Sequence, residues 1–260
     1  MIDYTNTTVL VTGAASGIGR ALALGLSARG AHVALADVEQ SGLGSVAAEI
    51  GENALPIAID LSAPETIPGL IDRAFGWRGR LDLICSNAGI GHYKRLKHEP
   101  WGPNVDRMFD VNLFAAVRLT QAYLSVLAHN QQRGRLMITG SENSLSVPAA
   151  VKGNGIGLYA ASKHGVLIVA EWLADECRDA LDVHVLLPGA VYTPMIARAL
   201  PDPSLAPSEL GLIMPEQCAA LALKGLDLGL FYIPTHAHIG DDIQPRYQGV
   251  MDALKALGLD

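Results

Sequence analysis

Two residues that could exchange a proton stand four positions apart in the segment Tyr-Ala-Ala-Ser-Lys, which begins at Tyr159 and ends at Lys163. On a helix this spacing puts both side chains on one face. A phenol, with an ordinary pKa of about 10, is a poor base at neutral pH, but a nearby ammonium group stabilises the phenolate and lowers that pKa. The pair therefore predicts a general acid and base for the oxygen of an alcohol or a carbonyl compound. Because exposed, unreactive pairs share this spacing, the prediction depends on the surrounding framework.

A glycine-rich turn near the start of the chain could hold a phosphate. It follows the apolar run 8–11, which is typical of a buried strand, and precedes a predicted helix at 20–29 that Gly30 ends. The residues of interest in this turn are Gly13, Ser16, Gly17, Ile18 and Gly19. Glycines permit a tight turn and the close approach of a pyrophosphate, which would rest on the helix N-terminus. This context predicts a dinucleotide site, and a turn without a ligand is the alternative.

The second predicted strand, 31–36, ends at Asp37. A carboxylate at this position can accept hydrogen bonds from both hydroxyl groups of an adenosine ribose, and it would repel a 2′-phosphate. Neither Val38 nor Ser16 supplies a cation for such a phosphate. The sequence therefore predicts NAD rather than NADP as the cofactor, with a solvated turn residue as the alternative interpretation of Asp37.

The elements that must position these residues alternate along the whole chain. Apolar runs predict seven strands, at 8–11, 31–36, 54–59, 81–85, 135–139, 183–187 and 230–233. Helices are predicted at 20–29, 64–77, 101–128 and 159–180. The alternation predicts an α/β fold over residues 1–260, a single Rossmann-type doubly wound domain whose seven-stranded parallel sheet has helices on both faces. Ligands of such sheets bind outside the carboxyl ends of the strands.

Composition and charge exclude several classes of protein. The 260 residues are 50% hydrophobic and only 17% charged, which excludes a disordered chain. A net charge of −7 without a long basic run argues against nucleic acid as a partner. Three cysteines without a close pair indicate neither a disulfide framework nor a zinc site. No uncharged apolar run reaches the roughly 20 residues of a membrane span, so we expect a soluble, cytoplasmic protein that binds no membrane and no metal.

Taken together, the motifs resemble those of the short-chain dehydrogenases/reductases, over nearly the whole chain from Thr8 to about Ile233. The matching positions are Thr12-Gly13-x-x-x-Gly17-Ile18-Gly19, Asn87-Ala88-Gly89, Asn112 after Val111, Ser141, Tyr159-x-x-x-Lys163, and Pro188-Gly189 with Thr193. Several motifs in the family's order are far more specific than any one of them. The resemblance implies a compact, NAD-dependent enzyme that interconverts a secondary alcohol and a ketone by hydride transfer.

The resemblance also implies a role for each site residue. Tyr159 would exchange the proton with the substrate oxygen, and Ser141 would hold that oxygen by a hydrogen bond. Lys163 would bind the nicotinamide ribose and lower the pKa of Tyr159, while Asn112 would hold a water molecule that links Lys163 to solvent. The other implied cofactor contacts, from the adenine to the carboxamide, are Asp60, Leu61, Asn87, Gly89, Pro188, Val191 and Thr193.

The spacing between the serine and the tyrosine departs from the family. Seventeen residues separate Ser141 from Tyr159, and the commoner spacing would select Ser146, with Ser144 as a third candidate. Ser141 is preferred because it directly follows the fifth predicted strand, where the family's serine stands. The additional residues form a glycine-rich loop at 152–157, which could cover the substrate or fit an adjacent subunit.

Three loops should build the substrate pocket, at 90–99, 142–157 and 190–212, within a substrate region of about 190–215. The candidate substrate residues in them are His92, Tyr93, Asn143, Val147, Tyr192 and Met195, with Glu142 as a further polar candidate. This mostly apolar set favours a hydrophobic or aryl-bearing secondary alcohol or ketone, and a polyol or sugar is the alternative. Each polar residue could equally be a solvated loop residue. A non-catalytic NAD-binding redox sensor is a further alternative, which the joint presence of the catalytic residues disfavours.

Features outside the pocket bear on partners. The helical stretches 113–127 and 166–173 carry wide apolar faces, and the matching helices of the family pack between subunits, so the resemblance implies a homodimer or homotetramer. The proline-rich segment 201–215 is expected to form a mobile surface loop. Four residues near the end could be taken for metal ligands, but their spacing favours a solvated turn; they are His236, His238, Asp241 and Asp242.

Overall fold

Seven parallel strands form one sheet in the computed structural model, which describes residues 2–98 and 101–259. The strands are β1 Thr8–Thr12, β2 His32–Asp37, β3 Ala54–Ala58, β4 Leu83–Ser86, β5 Gly134–Thr139, β6 Leu181–Leu187 and β7 Tyr232–Pro234. Their order across the sheet is β3-β2-β1-β4-β5-β6-β7. The chain thus winds from the middle of the sheet to one edge and then to the other, as a doubly wound fold does. The predicted fold class is confirmed; Glu99, at the end of a predicted pocket loop, lies outside the described residues.

Helices cover both faces of this sheet. They are α1 Gly17–Ser27, α2 Gln40–Ile50, α3 Ile67–Arg78, α4 Pro103–Phe109, α5 Ala115–His129, α6 Gly157–Glu176, α7 Pro194–Ala197, α8 Pro215–Asp227 and α9 Ile239–Ala256. Successive side chains of a strand point to opposite faces. Accordingly Leu10 of β1 packs in the core with residues of α3, α5 and α6, whereas its neighbours Val9 and Val11 pack with residues of α1, α2 and α8.

The helix predicted at 101–128 is interrupted. A π-helical turn, Asp110–Phe114, separates α4 from α5, and Asn112 is buried within it. Single π-helical turns inside helices occur frequently at functional sites. The segment Pro103–His129 contains an 18-residue stretch with a mean hydropathy of 1.3, and by length and composition alone it passes a test for a membrane-crossing helix. The sequence prediction of a membrane span considers only uncharged runs, and this segment contains charged residues. In the fold, the side chains of Leu119 and Tyr123 on this segment are buried in the core.

The C-terminal part of the chain differs most from expectation. The segment 201–215 contains two short 3-10 helices, Pro203–Leu205 and Ser208–Leu210, and ends where α8 begins. Asp241 and Asp242 lie in the first turn of α9 rather than in a solvated turn, where the helix dipole favours negative charge. The sequence carries little signal for α9 because the helix contains Pro245 and buries only Ile239 of its residues.

A proline occupies each edge strand of the sheet. Pro56 lies inside β3 and pairs with Leu35 of β2, and Pro234 ends β7 opposite Leu187 of β6. Proline has no N–H group to donate, so within sheets it is confined largely to edges, strand ends and bulges. The two residues therefore fit the edge positions that the sheet order assigns to their strands.

Candidate active site

A pocket of about 640 Å³ opens at the carboxyl ends of the strands. Its wall contains all the predicted cofactor residues except Gly19: Gly13, Ser16, Gly17, Ile18, Asp37, Asp60, Leu61, Asn87, Gly89, Tyr159, Lys163, Pro188, Val191 and Thr193. The pocket thus brings together residues that follow six of the strands, β1 to β6, and residues of α6. The parallel arrangement of the strands explains this convergence, because it places their carboxyl ends at the same edge of the sheet.

The glycine turn after β1 leaves bare backbone at the pocket. Gly13 has a φ of +68° and Gly17 a φ of +54°, a left-handed conformation that costs glycine little. A Cβ atom on Gly13 would lie 2.9 Å from Ala88 Cα, and one on Gly17 would lie 3.0 Å from Thr193 Cγ2. Among the described residues, no side chain caps the N-terminus of α1, which begins at this turn. A bare turn with uncapped helical N–H groups fits the pyrophosphate of a dinucleotide.

Gly19 has a packing role beneath the turn rather than a place on the pocket wall. A Cβ atom here would lie 2.0 Å from the carbonyl oxygen of Gly13 and 2.7 Å from Asn87 Nδ2. The side chain of Asn87 donates to the carbonyl oxygen of Thr12 over 3.1 Å and accepts from Thr139 Oγ1 over 3.2 Å. Asn87 therefore ties together the ends of β1, β4 and β5, and Gly19 lets α1 approach this junction.

Two carboxylates mark the end of the pocket where the resemblance puts the adenosine. Asp37 accepts hydrogen bonds from the backbone N–H groups of Ala15 and Glu39, each over 3.0 Å. Asp60 accepts from the backbone and hydroxyl of Ser62 and pairs with Arg107 over 3.0 Å. Burial alone would raise the pKa of Asp60, but the hydrogen bonds from Ser62 and the charge of Arg107 hold it below its ordinary value. Sequence reasoning missed Arg107, which reaches the pocket from α4, far along the chain.

The hydroxyl groups of Ser141 and Tyr159 form a pair on the pocket wall, in which the serine side chain acts to lower the pKa of the tyrosine. Ser141 Oγ accepts from the backbone N–H of Asn143 over 3.2 Å and from its side-chain Nδ2 over 3.3 Å. These two bonds occupy both lone pairs of the serine oxygen, so its own hydrogen is left as a donor. Of the two other candidates, Ser144 accepts the backbone N–H of Ser141 over 3.0 Å, and neither it nor Ser146 reaches the pocket wall.

Lys163 is buried next to this pair. Its Nζ donates to the carbonyl oxygen of Thr139 over 2.7 Å and lies 6.0 Å from the centre of the Tyr159 ring. Burial lowers the pKa of Lys163 to about 8, because an ammonium group loses its hydration there. Asn112 connects the loop after β4 to helix α6, which carries Lys163. Its side chain accepts from the backbone N–H of Ile90 over 2.8 Å and donates to Ser162 Oγ over 3.1 Å.

The expected lowering of the Tyr159 pKa is not found. Burial raises the pKa of Tyr159 to about 12, the hydrogen bond from Ser141 opposes this rise, and the negative charges of Tyr93 and Glu142 add to it. Lys163 is not among the groups that shift this pKa, because an ammonium group with a pKa of about 8 has lost its proton before a phenol with a pKa of about 12 ionises. Burial of the phenol therefore outweighs the effect that the spacing of the two residues predicts.

The six candidate substrate residues separate into two groups. Tyr93 and Met195 line the main pocket, and His92 lines a smaller neighbouring pocket of about 300 Å³. The other three do not reach either pocket. Asn143 is turned to Ser141 as described, Val147 is exposed, and the hydroxyl of Tyr192 donates to the carbonyl oxygen of Pro201 over 2.7 Å. Arg198, which lies in the predicted substrate region, also lines the main pocket. The sequence analysis did not single out this cationic side chain.

The segment between β7 and α9 reaches the site, contrary to the expectation of a solvated turn. His236 Nδ1 accepts from the backbone N–H of Gly189 over 3.2 Å, and the other ring nitrogen lies 2.9 Å from the carbonyl oxygen of Gly211. His238 Nε2 lies 2.9 Å from Glu142 Oε2. Burial lowers the pKa of His236. Within the described ranges no three histidine, cysteine, aspartate or glutamate side chains form a group able to hold a metal ion.

Comparisons with known proteins identify the family of the chain. The sequence profile described as short chain dehydrogenase matches residues 7–203. The chain is 36% identical, over 88% of its own length and 84% of the relative's, to the 1-deoxy-11-beta-hydroxypentalenate dehydrogenase of Streptomyces avermitilis. Among solved structures, a short chain dehydrogenase/reductase from Burkholderia phymatum in complex with NAD has a TM-score of 0.84 at 22% identity and covers 96% of both chains.

A second solved structure bears on the cofactor. A short chain dehydrogenase from Burkholderia cenocepacia in complex with NADP has a TM-score of 0.74 at 27% identity, over 86% of this chain and 92% of the other. Both nicotinamide dinucleotides thus occur among proteins of this fold. The glycine turn, the hydroxyl pair and the sequence match lead to one conclusion: the chain belongs to the short-chain dehydrogenase family of oxidoreductases, which act on CH–OH groups with a nicotinamide cofactor.

Proposed function

We propose that the protein is an NAD-dependent dehydrogenase that interconverts a hydrophobic or aryl-bearing secondary alcohol and the corresponding ketone. The observation that carries the proposal is the Ser141–Tyr159 hydroxyl pair beside buried Lys163, on the wall of the same pocket as the bare glycine turn. A proton-exchanging pair and a dinucleotide cradle in one pocket support hydride transfer coupled to proton transfer. In this proposal one domain supplies both the residues that bind the cofactor and the residues that exchange the proton.

The chain's own residues would bind and orient the reactants. Gly13, Gly17 and the N-terminus of α1 would hold the pyrophosphate, and Lys163 would hold the nicotinamide ribose. When bound, the nicotinamide supplies or accepts a hydride. Ser141, whose oxygen is fixed by Asn143, would donate a hydrogen bond to the substrate oxygen, while Tyr159 would take a proton from the alcohol or give one to the ketone. Asn112 would hold the backbone behind Lys163 in place.

Asp37 supports NAD as the preferred cofactor. Its carboxylate stands at the end of β2 on the pocket wall, next to the uncharged Val38. Two backbone N–H groups fix its position, so it cannot readily turn away from a 2′-phosphate, which it would repel. The cationic side chains on the same wall are Arg107, Lys163 and Arg198, and the first of these is paired with Asp60.

The substrate end of the pocket supports an apolar substrate. Tyr93, Met195, Ile196 and Ala199 line it, and the polar candidate Asn143 is turned away to Ser141. The relative from Streptomyces is named for a hydroxylated substrate, hydroxypentalenate, which is consistent with an alcohol here. A polyol or a sugar would need more polar contacts than this wall offers.

The exposed apolar side chains Phe114, Ile168 and Trp172 support the further proposal that the protein is a homodimer or homotetramer. They are 45%, 51% and 60% exposed and lie on the helices for which the family resemblance implies subunit contacts. Neighbouring large apolar residues on a surface often indicate an interaction site. A cytoplasmic location remains a prediction from the sequence.

A panel of alcohols tests the activity. We expect NADH formation with hydrophobic secondary alcohols, little with polyols, and lower kcat/KM with NADP than with NAD. Tyr159→Phe should retain NAD binding and lose about 10²–10⁴-fold in kcat, the usual contribution of general acid–base catalysis. Tight NAD binding by the wild type without turnover of any alcohol would instead favour a redox sensor. Near-normal turnover by Tyr159→Phe would contradict the role of this residue.

Two further sets of variants test the assigned positions. Asp37→Ala should weaken NAD binding more than NADP binding, and equal losses would contradict the ribose contact. Ser141→Ala should lose most of the activity, because it removes the hydroxyl next to Tyr159. Ser146→Ala is the matched control, since this buried serine does not reach the pocket wall. A larger loss in Ser146→Ala than in Ser141→Ala would reverse the assignment.

A further inference from the structure

The imidazole ring of His236 connects two parts of the backbone that are distant along the chain. Its Nδ1 accepts from the backbone N–H of Gly189 over 3.2 Å, and its Nε2 lies 2.9 Å from the carbonyl oxygen of Gly211. Gly189 follows β6 on the pocket wall, directly before the substrate region, and Gly211 lies near the end of that region. The ring of His236 therefore bridges the two ends of the substrate region.

The two contacts permit only one form of the ring. A carbonyl oxygen can only accept, so Nε2 must carry a hydrogen, and a backbone N–H can only donate, so Nδ1 must carry none. The hydroxyl group of Thr235, 2.7 Å from Nδ1, can donate to the same nitrogen. Burial lowers the pKa of His236, and the titratable groups that face it are His238 and Glu142. The ring is therefore neutral at pH 7, as both hydrogen bonds require.

The ring fits closely between the two glycines. A Cβ atom on Gly189 would lie 2.7 Å from His236 Nδ1, and one on Gly211 would lie 3.4 Å from His236 Cδ2. The segment that carries the ring is attached to the sheet, because the backbone N–H of Thr235 donates to the carbonyl oxygen of Leu187 over 3.3 Å. The ring can therefore restrain the substrate region from a position that the sheet fixes.

The substrate region forms part of the wall around the proposed substrate. Three of its apolar side chains line the pocket: Met195, Ile196 and Ala199. The backbone of the region is paired at its base, where Ile213 donates to Ala190 over 3.1 Å and accepts from Tyr192 over 2.9 Å. His236 adds a second attachment at this base. Without it, the region should stay attached but open more often, because a segment held by few contacts opens at a low cost.

We propose that His236 is a positioning residue that holds the substrate region closed over the pocket by bridging Gly189 and Gly211. It acts through this region rather than on the substrate itself. The inference rests on the proposed dehydrogenase function, in which the closed region contacts the alcohol. The KM for the alcohol consequently rises as the closed fraction of the protein falls. Most of the expected cofactor contacts lie outside the region, so NAD binding depends less on His236.

Steady-state kinetics of His236→Ala separates binding from chemistry. We expect the KM for a hydrophobic secondary alcohol to rise roughly tenfold, as the loss of two hydrogen bonds allows, with little change in kcat or in the dissociation constant of NAD. His236→Gln keeps a donor for Gly211, and His236→Asn keeps an acceptor for Gly189. Each of these two variants should therefore raise KM by only about threefold. A residue that merely stabilised the fold would lower the amount of active enzyme and leave KM unchanged.

Trypsin cleavage measures the opening of the substrate region without turnover. Arg198 is exposed and directly follows α7 within this region. Cleavage after Arg198 requires local opening of the chain, so its rate reports the population of the open form. In NAD-bound His236→Ala this rate should rise by about the same factor as KM. Nitrogen NMR of the wild type should also show the ring hydrogen of His236 on Nε2, in a signal that is missing from His236→Gln.

Two other histidines provide controls. His129 is exposed at the end of α5, so His129→Ala should change neither KM nor the cleavage rate. His238→Ala removes the contact with Glu142 from the segment that also carries His236, and it should raise KM less than His236→Ala does. Equal increases in His238→Ala and His236→Ala would mean that the segment as a whole, rather than the ring of His236, holds the substrate region.

Several results would overturn the proposal. One is an unchanged KM and an unchanged cleavage rate in His236→Ala. If that variant does not fold, a wild-type KM in both His236→Gln and His236→Asn has the same meaning. A hydrogen on Nδ1 in the wild type would contradict the bridge directly. If the wild type oxidises no alcohol, the proposed dehydrogenase function fails, and the cleavage rates alone then decide whether His236 holds the substrate region.

Discussion

Burial of the Lys163 ammonium group has an energetic consequence for the folded protein. The residue is 3% exposed, and its pKa falls from an ordinary 10.5 to about 8. Because the folded-state pKa is the lower one, the unfolded chain binds more protons between these values, and stability rises with pH across that window. Below about pH 8 the folded protein carries the full cost of the buried charge.

We therefore expect Lys163→Met to be more stable than the wild type at pH 7 while losing activity. Removing the buried charge contributes roughly 3 kcal/mol, and losing the hydrogen bond to Thr139 costs about 1 kcal/mol. The net gain in the free energy of unfolding is about 2 kcal/mol, measurable by urea denaturation without cofactor. The gain should shrink as the pH rises towards 10.5. A variant that is less stable at pH 7 would show that the ammonium is better accommodated than its burial indicates.

At the scale of single residues, the sequence predicts identities better than contacts. Local spacing singles out Tyr159 and Lys163, the end of β5 singles out Ser141, and the structure places all three on the wall of one pocket. The partners of Asn143 and Glu142 could not be found in this way, because they depend on how the turn after Ser141 folds and on residues almost a hundred positions away. For the same reason, the spacing of Tyr159 and Lys163 wrongly predicts a lowered tyrosine pKa, since spacing contains no information about burial.

The turn between β1 and α1 depends on the absence of a side chain at Gly19. In Gly19→Ala the new Cβ atom would meet backbone, the Gly13 carbonyl oxygen at 2.0 Å, which cannot yield without moving the turn. We expect a loss of about 3 kcal/mol in the free energy of unfolding, at the upper end for overpacking, and at least a tenfold weaker affinity for NAD. Calorimetry with and without NAD measures both effects.

Gly44 provides the matched control for this element-scale prediction. It lies inside α2 and is exposed, and a Cβ atom added there would meet no other described part of the protein within 4 Å. Gly44→Ala should raise the free energy of unfolding by about 0.5–1 kcal/mol, because alanine loses less backbone freedom in a helix. Equal stabilities for Gly19→Ala and the wild type would show that α1 can shift away from the turn.

At the scale of the elements, the sequence predicts those whose side chains form the core. All seven strands follow from apolar runs, and the central ones are buried on both faces, as Val9, Leu10 and Val11 show in β1. The π-helical turn around Asn112 has no periodic signal, because one extra residue in a helical turn hardly alters a short pattern. Helix α9 was not predicted because it buries almost nothing and contributes no clear apolar stripe.

At the scale of the whole molecule, the exposed side chains of α6 predict self-association. Trp172 and Ile168 stand one helical turn apart, and both are more than half exposed. We expect the wild type to sediment as a dimer or tetramer, and Trp172→Glu to dissociate it, because truncating a central interface aromatic costs about 2 kcal/mol or more. The dissociation constant should rise at least about thirtyfold.

Tyr247 on α9 is a suitable control, since it is an aromatic residue with 63% exposure on a different helix. Tyr247→Glu should leave the sedimentation of the protein unchanged. A wild type that is monomeric at all concentrations would contradict the proposed oligomer. Dissociation by Tyr247→Glu and not by Trp172→Glu would move the interface to the C-terminal helix.

The prolines at both sheet edges limit how molecules of this protein can aggregate. An edge strand with free N–H and C=O groups can template the addition of a strand from another molecule, which is the first step towards amyloid fibres. Pro56 removes a donor from the middle of one edge strand, and Pro234 ends the other. The prolines thus hinder the addition of a strand from another molecule at both edges of the sheet. A concentrated solution of the folded protein should therefore resist fibre formation.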